Sequence, residues 1–140
     1  MRINNECGRK ILIEVEKLAF GETITVAALH EKMPEFSIED VLNVATIFNR
    51  EHLIIITDRA GYDDNDLLRD NKIKGLTERG YHSLDLIRDD KVWDYLKEKM
   101  PDFDEVSLYT IFDIANKIKN DEYNKMFDIK DGSASRRYFW

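Results

Sequence analysis

Residues 36–57 read FSIEDVLNVATIFNREHLIIIT and carry the strongest structural signals in the chain. Ser37 is a favourable N-cap residue, and Asp40 three positions later makes a variant of the capping box, which normally holds Glu or Gln there. Phe36, just before the cap, can pack on Val41 as a hydrophobic staple. The stretch therefore predicts a helix that begins at Ser37 and is held in place by its own first turn.

The predicted helix, residues 37–51, has two unlike faces. A spacing of about 3.6 residues per turn gathers its apolar side chains on one side. These are Val41, Val44, Ala45 and Phe48. The polar side chains that lie opposite are Glu39, Asn43, Thr46 and Arg50. We expect a buried stripe and a distinct exposed stripe.

The segment after this helix predicts a pair of strands. Residues 53–57, LIIIT, are too short and too β-branched for a helix and are typical of a buried strand. Residues 58–71 contain Gly61 and several Asp and Asn turn formers, so we expect a loop. KIKGL at residues 72–76 predicts the returning strand.

Upstream of residue 36 the sequence predicts a helix, a short strand and a second short helix. The apolar positions of the first helix recur at helical spacing, Gly21 is expected to end it, and Cys7 lies on its buried side. They are Ile11, Val15, Leu18 and Ala19. Residues 23–25 can form only a short strand, and Thr25 is a suitable N-cap for a helix that closes before Pro34.

Residues 76–99, LTERGYHSLDLIRDDKVWDYLKEK, predict two helices with a break between them. Thr77 caps the first, in which Tyr81, Leu84 and Ile87 share one face. The apolar phase then breaks at two aspartates, and Asp90 is a good N-cap for the next helix. Gly80 is small enough to allow a close helix contact. Leu108, Ile111, Phe112, Ala115 and Ile118 predict a further helix.

The order helix, short strand, helix, helix, strand, loop, strand is the winged-helix arrangement. The fold class is therefore α+β, mainly α with a small β-hairpin; a plain helical bundle with an incidental hairpin is the alternative. We expect a winged-helix domain over residues 4–88, with C-terminal helices over residues 89–130 packed on the same domain. Residues 131–140 form an aromatic tail.

Residues 76–97 resemble a family of proteins of unknown function, the group numbered 2513, found largely in phages and bacterial prophages. The pattern is L-T-x-x-G, then L-D-x-I-R-x-D, then V-W. It is carried by Leu76, Thr77, Gly80, Leu84, Asp85, Ile87, Arg88, Asp90, Val92 and Trp93. RKILIEVEK and VSLYTIFDIANKI resemble the first and closing helices of that family. The resemblance implies a winged-helix-like fold in a phage context and carries no catalytic residues.

Composition favours a single acidic, cytoplasmic domain. The 140 residues carry a net charge of −7, with 35% charged side chains and one cysteine. A lone cysteine excludes an internal disulfide and fits a reducing compartment. No run approaches the ~18 apolar residues of a membrane span, and the first residues have no apolar signal core.

Two binding hypotheses compete. For DNA the candidates are Asn43, Thr46, Arg50, Lys72 and Lys74. Residues 37–51, however, hold one arginine and three acidic side chains, and residues 58–71 hold two arginines and five aspartates. DNA affinity comes largely from cations at phosphates, so these signs favour a protein partner with a basic surface. The candidates for that contact are Asp63, Asp64, Asp66 and Asp70.

The C-terminal residues Tyr138, Phe139 and Trp140 are the second candidate protein-binding element. The three aromatics can close over the core of the chain, dock on a partner or a second copy, or form a disordered end. A homodimer through the C-terminal helices belongs to the same class of hypothesis.

Nothing in the sequence favours catalysis. His30, His52 and His82 have no metal-ligand spacing, and there is no glycine-rich phosphate loop. His30 is expected on the surface of the second helix, and Cys7 is expected to be an inert core thiol. We expect a non-enzymatic protein with no cofactor and no metal.

Overall fold

The computed structural model describes residues 4–57 and 72–131, with side chains as far as residue 121. Within those ranges the chain forms six helices and one three-stranded sheet. The elements are α1 (Asn5–Glu16), β1 (Ile24–Thr25), α2 (Val26–Glu31), α3 (Ile38–Arg50), β2 (Ile54–Ile56), β3 (Lys72–Leu76), α4 (Glu78–Ile87), α5 (Asp90–Lys99) and α6 (Leu108–Asp131). The predicted α+β class, mainly helical with a small sheet, is confirmed.

The helix starts follow the capping residues of the sequence. The hydroxyls of Thr25, Ser37 and Thr77 each accept a hydrogen bond from the backbone N–H three residues on, at 3.0–3.1 Å. The start of α5 differs by one residue from the prediction, because its N-cap is Asp89 and not Asp90. The Asp89 carboxylate accepts the N–H of Lys91 at 2.8 Å.

Helix α1 is shorter than its apolar spacing predicts. It ends at Glu16 with Lys17 as C-cap, and the N–H of Leu18 bonds to the carbonyl of Val15 at 3.1 Å in a tightened last turn. Gly21 does not end the helix, since it lies beyond it in a turn with a φ of 84°. As a result Ala19, predicted on the apolar face, is exposed.

The sheet has the strand order β1-β3-β2, and both pairs are antiparallel. Ile24 pairs with Ile73 and Ile54 pairs with Leu76, with a register shift between Ile55 and Ile56. The connection that would form a wing, residues 58–71, lies outside the described residues. The winged-helix assignment therefore stays a prediction, with which the observed order of helices and strands agrees.

The turn from α3 into β2 is a Schellman motif with a histidine in the left-handed position. His52 has a φ of 61°. The N–H of Leu53 bonds to the carbonyl of Phe48 at 2.8 Å, and the N–H of His52 bonds to that of Asn49 at 3.2 Å. The carbonyl of His52 in turn accepts the hydroxyl of Thr77. This turn therefore joins the end of α3 to the start of α4.

The described apolar side chains form one core. The predicted stripe of α3 is buried throughout, and Cys7, Leu84 and Ile87 are also fully enclosed. Asn5 is 3% exposed, and its Nδ2 donates to the carbonyls of Phe103 at 3.0 Å and Val106 at 2.9 Å. This side chain ties the connection between α5 and α6 to the start of α1.

The break between α4 and α5 is held by Arg9. Its guanidinium donates to the carbonyls of Ile87 and Arg88, both at 2.8 Å, and pairs with the Asp90 carboxylate at 2.7 Å. The guanidinium also lies 5.3 Å from the ring centroid of Trp93. The two aspartates that interrupt the apolar phase therefore have structural contacts: one caps a helix and one pairs with Arg9.

Within the described ranges, no helix combines the length and the apolar character needed to cross a membrane.

Candidate functional site

Two of the polar residues that helical spacing places on the exposed side of α3 are less exposed than predicted. Arg50 is exposed, but Asn43 and Thr46 are half-buried. The hydroxyl of Thr46 donates to the carbonyl of Leu42 at 2.8 Å, so its proton is already used within the helix.

The two lysines of the DNA hypothesis lie on β3. Lys72 and Lys74 are both exposed. Lys74 lines a groove, described below, that takes no lining residue from α3. The structure therefore gives Lys74 a different set of neighbours from Asn43 and Thr46.

The candidate protein-binding residues of the sequence lie outside the described residues. This holds for the four aspartates of the predicted wing, Asp63, Asp64, Asp66 and Asp70, and for the tail residues Tyr138, Phe139 and Trp140. Both sets stay predictions.

A groove of about 550 Å³ lies between the end of α1, the following turn, the outer face of β2 and β3, and the start of α4. It is lined by Val15, Leu18, Ala19, Phe20, Gly21, Glu22, Thr23, Ile55, Lys74, Gly75, Leu76 and Tyr81. Its size is in the range of pockets that hold small ligands or a few side chains of a partner.

Large apolar side chains stand exposed around this groove. Phe20 has a relative exposure of 108%, while Ile55 is 43% and Tyr81 is 45% exposed. Among the residues that the structure describes, none covers the Phe20 ring. Isolated exposed apolar residues are ordinary, but three that line one concavity form a surface typical of a binding site.

Two of these residues correct the sequence analysis. The strand around Ile55 was expected to be buried, and Tyr81 was expected on the face shared by Leu84 and Ile87. Ile55 points outward because alternate residues of a strand face opposite sides, and only one side of this sheet carries the core. Tyr81 is about 120° around the helix from Ile87, at the edge of the apolar stripe. The alternation of residues along the strand and the helical spacing of α4 therefore already indicated that Ile55 and Tyr81 are exposed.

Phe20 was missed for a different reason. It belongs to no periodic segment, because α1 has ended and Gly21 makes the turn. An aromatic residue directly before a turn glycine is the only sequence signal for it.

The surroundings of the groove are mainly acidic. Tyr81 also lines a neighbouring depression of about 370 Å³, together with Glu78, His82 and Asp85. Glu22 lines the groove itself, where its Oε1 accepts the N–H of Ala19 at 2.7 Å.

Arg88, the C-cap residue of α4, has a charge that is already matched. It pairs with the carboxylates of Glu16 and Asp85. These hydrogen bonds raise the pKa of the Arg88 guanidinium above its ordinary value. Arg88 therefore neutralises part of the acidic surface and presents no unmatched cation to a ligand.

The nucleophile and histidine candidates do not assemble into a site. Burial, with Asp40 and Glu35 nearby, raises the pKa of the Cys7 thiol to about 12, so the unreactive thiol form dominates at neutral pH. His30, expected on the surface, is half-buried, and its Nε2 donates to the carbonyl of Phe36 at 2.9 Å. Among the described residues no group of three or more His, Cys, Asp or Glu side chains could hold a metal ion.

The fold and the groove define a small α+β protein with an exposed apolar groove bordered by carboxylates. The family model described as "Hypothetical protein (DUF2513)" matches residues 2–106 of the 140. The chain belongs to this family, as the motif of residues 76–97 predicts. The described residues that line the groove all fall inside the match. A comparison with curated proteins and one with solved structures each gave no significant match.

Proposed function

We propose that this protein is a non-enzymatic binding module that engages a protein partner through the groove between α1, the sheet and α4. The observation that carries the proposal is the exposure of Phe20, Ile55 and Tyr81 around one concavity. Full burial of a large apolar side chain is favourable by about 1.5–3 kcal/mol, part of which offsets the entropy that association costs. Aromatic side chains are also enriched among the residues that dominate interface energetics.

The proposed contact surface is the groove, whereas the sequence predicts the contact on the acidic winged-helix surface. The acidic winged-helix surface, with the aspartates of residues 58–71, stays a prediction of the sequence. That segment connects β2 to β3, and both strands contribute residues to the groove.

Site-specific photo-crosslinking in bacterial cells tests the proposal. A benzophenone amino acid replaces Tyr81 in one variant and Tyr95 in a second. Tyr95 is a matched control because it is an exposed tyrosine, at 48%, that does not line the groove. We expect a discrete protein adduct from position 81 and none from position 95. Equal adducts from both positions, or none from either, would contradict the proposal.

A second candidate is a winged-helix DNA-binding regulator. Two observations favour it: the order of helices and strands from α1 to β3, and the exposure of Arg50, Lys72 and Lys74. The charge of α3 opposes it, because a helix in the major groove needs cations to match phosphates.

Fluorescence anisotropy of a labelled random duplex of about 30 base pairs separates the two candidates. A DNA-binding domain is expected to bind at about 10⁻⁴–10⁻⁶ M and to weaken with salt. If the protein instead binds only a protein partner through the groove, the anisotropy of the labelled duplex should not change, even at low salt. If the duplex binds, and Arg50→Ala weakens that binding while Phe20→Ser does not, the regulator hypothesis takes precedence.

We also propose a setting for the protein, as an accessory protein of a phage or prophage in the bacterial cytoplasm. The resemblance of residues 76–97 and the single cysteine support this setting.

A further inference from the structure

We infer that the partner inserts a short apolar segment that carries lysine or arginine beside its apolar residues. The inference rests on the proposed function and names the chemistry of the partner at the same groove. The apolar part of the segment covers Phe20, Ile55 and Tyr81, and its cations face the carboxylates along α4.

The groove has an acidic border. Among the described residues that line the groove and the neighbouring depression, Glu22, Glu78 and Asp85 carry carboxylates and Lys74 carries a cation. Arg88 pairs with Asp85 and Glu16 and so neutralises part of this charge, which leaves Glu22 and Glu78 against Lys74. Complementary charge stabilises an interface and speeds encounter, so a basic segment fits this surface and an acidic one is repelled.

Glu78 marks the place on this surface where a cation of the partner would bind. Its side chain forms no ion pair or hydrogen bond with any residue that the structure describes, and it lies one helical turn from Tyr81. A cation bound beside them is attracted by the Glu78 carboxylate and by the ring of Tyr81, which is 45% exposed. Both interactions favour Lys or Arg, the second through the cation–π attraction.

The groove is also small. A volume of about 550 Å³ holds a few large side chains and not a folded domain, so the contact is made by a segment. Three other occupants meet an unfavourable charge. A second copy would bring another net charge of −7, and nucleic acid or an anionic membrane would bring further negative charge to the same carboxylates.

A random-peptide display selection on the immobilised full chain tests the inference. Each enriched peptide is then synthesised, and its affinity is measured by fluorescence anisotropy with wild-type protein and with four variants. Phe20→Ser and Tyr81→Ser remove apolar surface, Glu78→Lys reverses the charge, and Tyr95→Ser is the control outside the groove. Phe20 is fully exposed, so its replacement leaves the fold intact, and circular dichroism checks this for each variant.

We expect enriched peptides that combine aromatic or aliphatic residues with Lys or Arg. Their affinity should fall about tenfold in Phe20→Ser, Tyr81→Ser and Glu78→Lys, and should be unchanged in Tyr95→Ser. Added salt should weaken binding to wild-type protein more than binding to Glu78→Lys, because the charged contact is absent from that variant.

The contrary outcomes separate the two levels of the proposal. The enriched peptides can lose affinity in Phe20→Ser and yet carry no Lys or Arg, or bind Glu78→Lys as tightly as wild type. Either result overturns the inference and leaves the groove as a protein-binding site. No enrichment, or enriched peptides indifferent to Phe20→Ser and Tyr81→Ser, overturns both. A wild-type dimer in sedimentation that dissociates in Phe20→Ser assigns the groove to a second copy and also overturns the inference.

Discussion

Gly80 lies directly against the backbone carbonyl of Leu53: a Cβ atom at position 80 would be 2.1 Å from that oxygen. The same oxygen accepts the N–H of Thr77 at 3.1 Å, so it is fixed at the start of α4. The absence of a side chain at position 80 is what allows α4 to pack on the entry to β2.

Replacement of Gly80 by alanine should lower the free energy of unfolding by about 2 kcal/mol or more. Alanine gains about 1 kcal/mol of helix propensity, but the clash with a backbone atom cannot be relieved by a rotamer change. Urea denaturation measures the effect. Gly75→Ala is the control, because no heavy atom lies within 4 Å of a Cβ there. A Gly80→Ala protein as stable as Gly75→Ala would contradict the packing.

His52→Gly should stabilise the protein by about 1 kcal/mol. The residue at this position has a φ of 61°, which costs a side chain with a Cβ atom and costs glycine almost nothing. Its contact with Thr77 uses the backbone carbonyl and survives the change. In thermal unfolding, the melting temperature of His52→Gly should be higher than those of wild type and His52→Ala. Equal stability of the Gly and Ala variants would show that the left-handed turn stores no strain.

Stability should fall as the pH rises from 9 towards 12, in part because of Cys7. Burial raises the pKa of this thiol from 9.0 in the unfolded chain to about 12 in the folded protein. Between these values the unfolded chain has released a proton that the folded chain retains. The stability present below pH 9 is therefore lost with rising pH, by at most about 1.4 kcal/mol per unit for one group.

Cys7→Ala isolates this effect, because alanine has no proton to release. Urea unfolding of the variant should show a shallower decline between pH 9 and 11 than wild type. Tyr109 contributes a similar decline above pH 10, since burial, with Glu51 nearby, raises its pKa to about 12, and that part remains in the variant. Identical slopes for wild type and Cys7→Ala would contradict the burial of the thiol.

Asn5→Asp should destabilise the protein by about 3 kcal/mol or more at pH 7. The change removes the two N–H donors to Phe103 and Val106 and places a carboxylate against their carbonyl oxygens. Asn116→Asp, on the exposed side of α6, makes the same chemical change in solvent and should alter stability by less than about 0.5 kcal/mol. Chemical denaturation of both variants measures the difference, and equal effects would rule out the buried contact.

Local structure was largely readable from the sequence. Thr25, Ser37 and Thr77 cap the helices for which they were proposed, because capping depends only on a hydroxyl and the N–H three residues later. The buried stripe of α3 and the enclosure of Cys7 followed from helical spacing. The small size required at Gly80 was also anticipated, and the structure supplies its cause in the Leu53 carbonyl.

Only the tertiary structure decided the candidate site. Phe20, Ile55 and Tyr81 lie on a turn, a strand and a helix that are distant in sequence, and no local rule brings them to one groove. Their exposure depends on which faces the neighbouring elements leave uncovered, a property of packing rather than of propensity. The sequence by itself thus determined which segments form helices and strands, and most of their buried positions. The assembled fold decided which apolar residues remain for a partner.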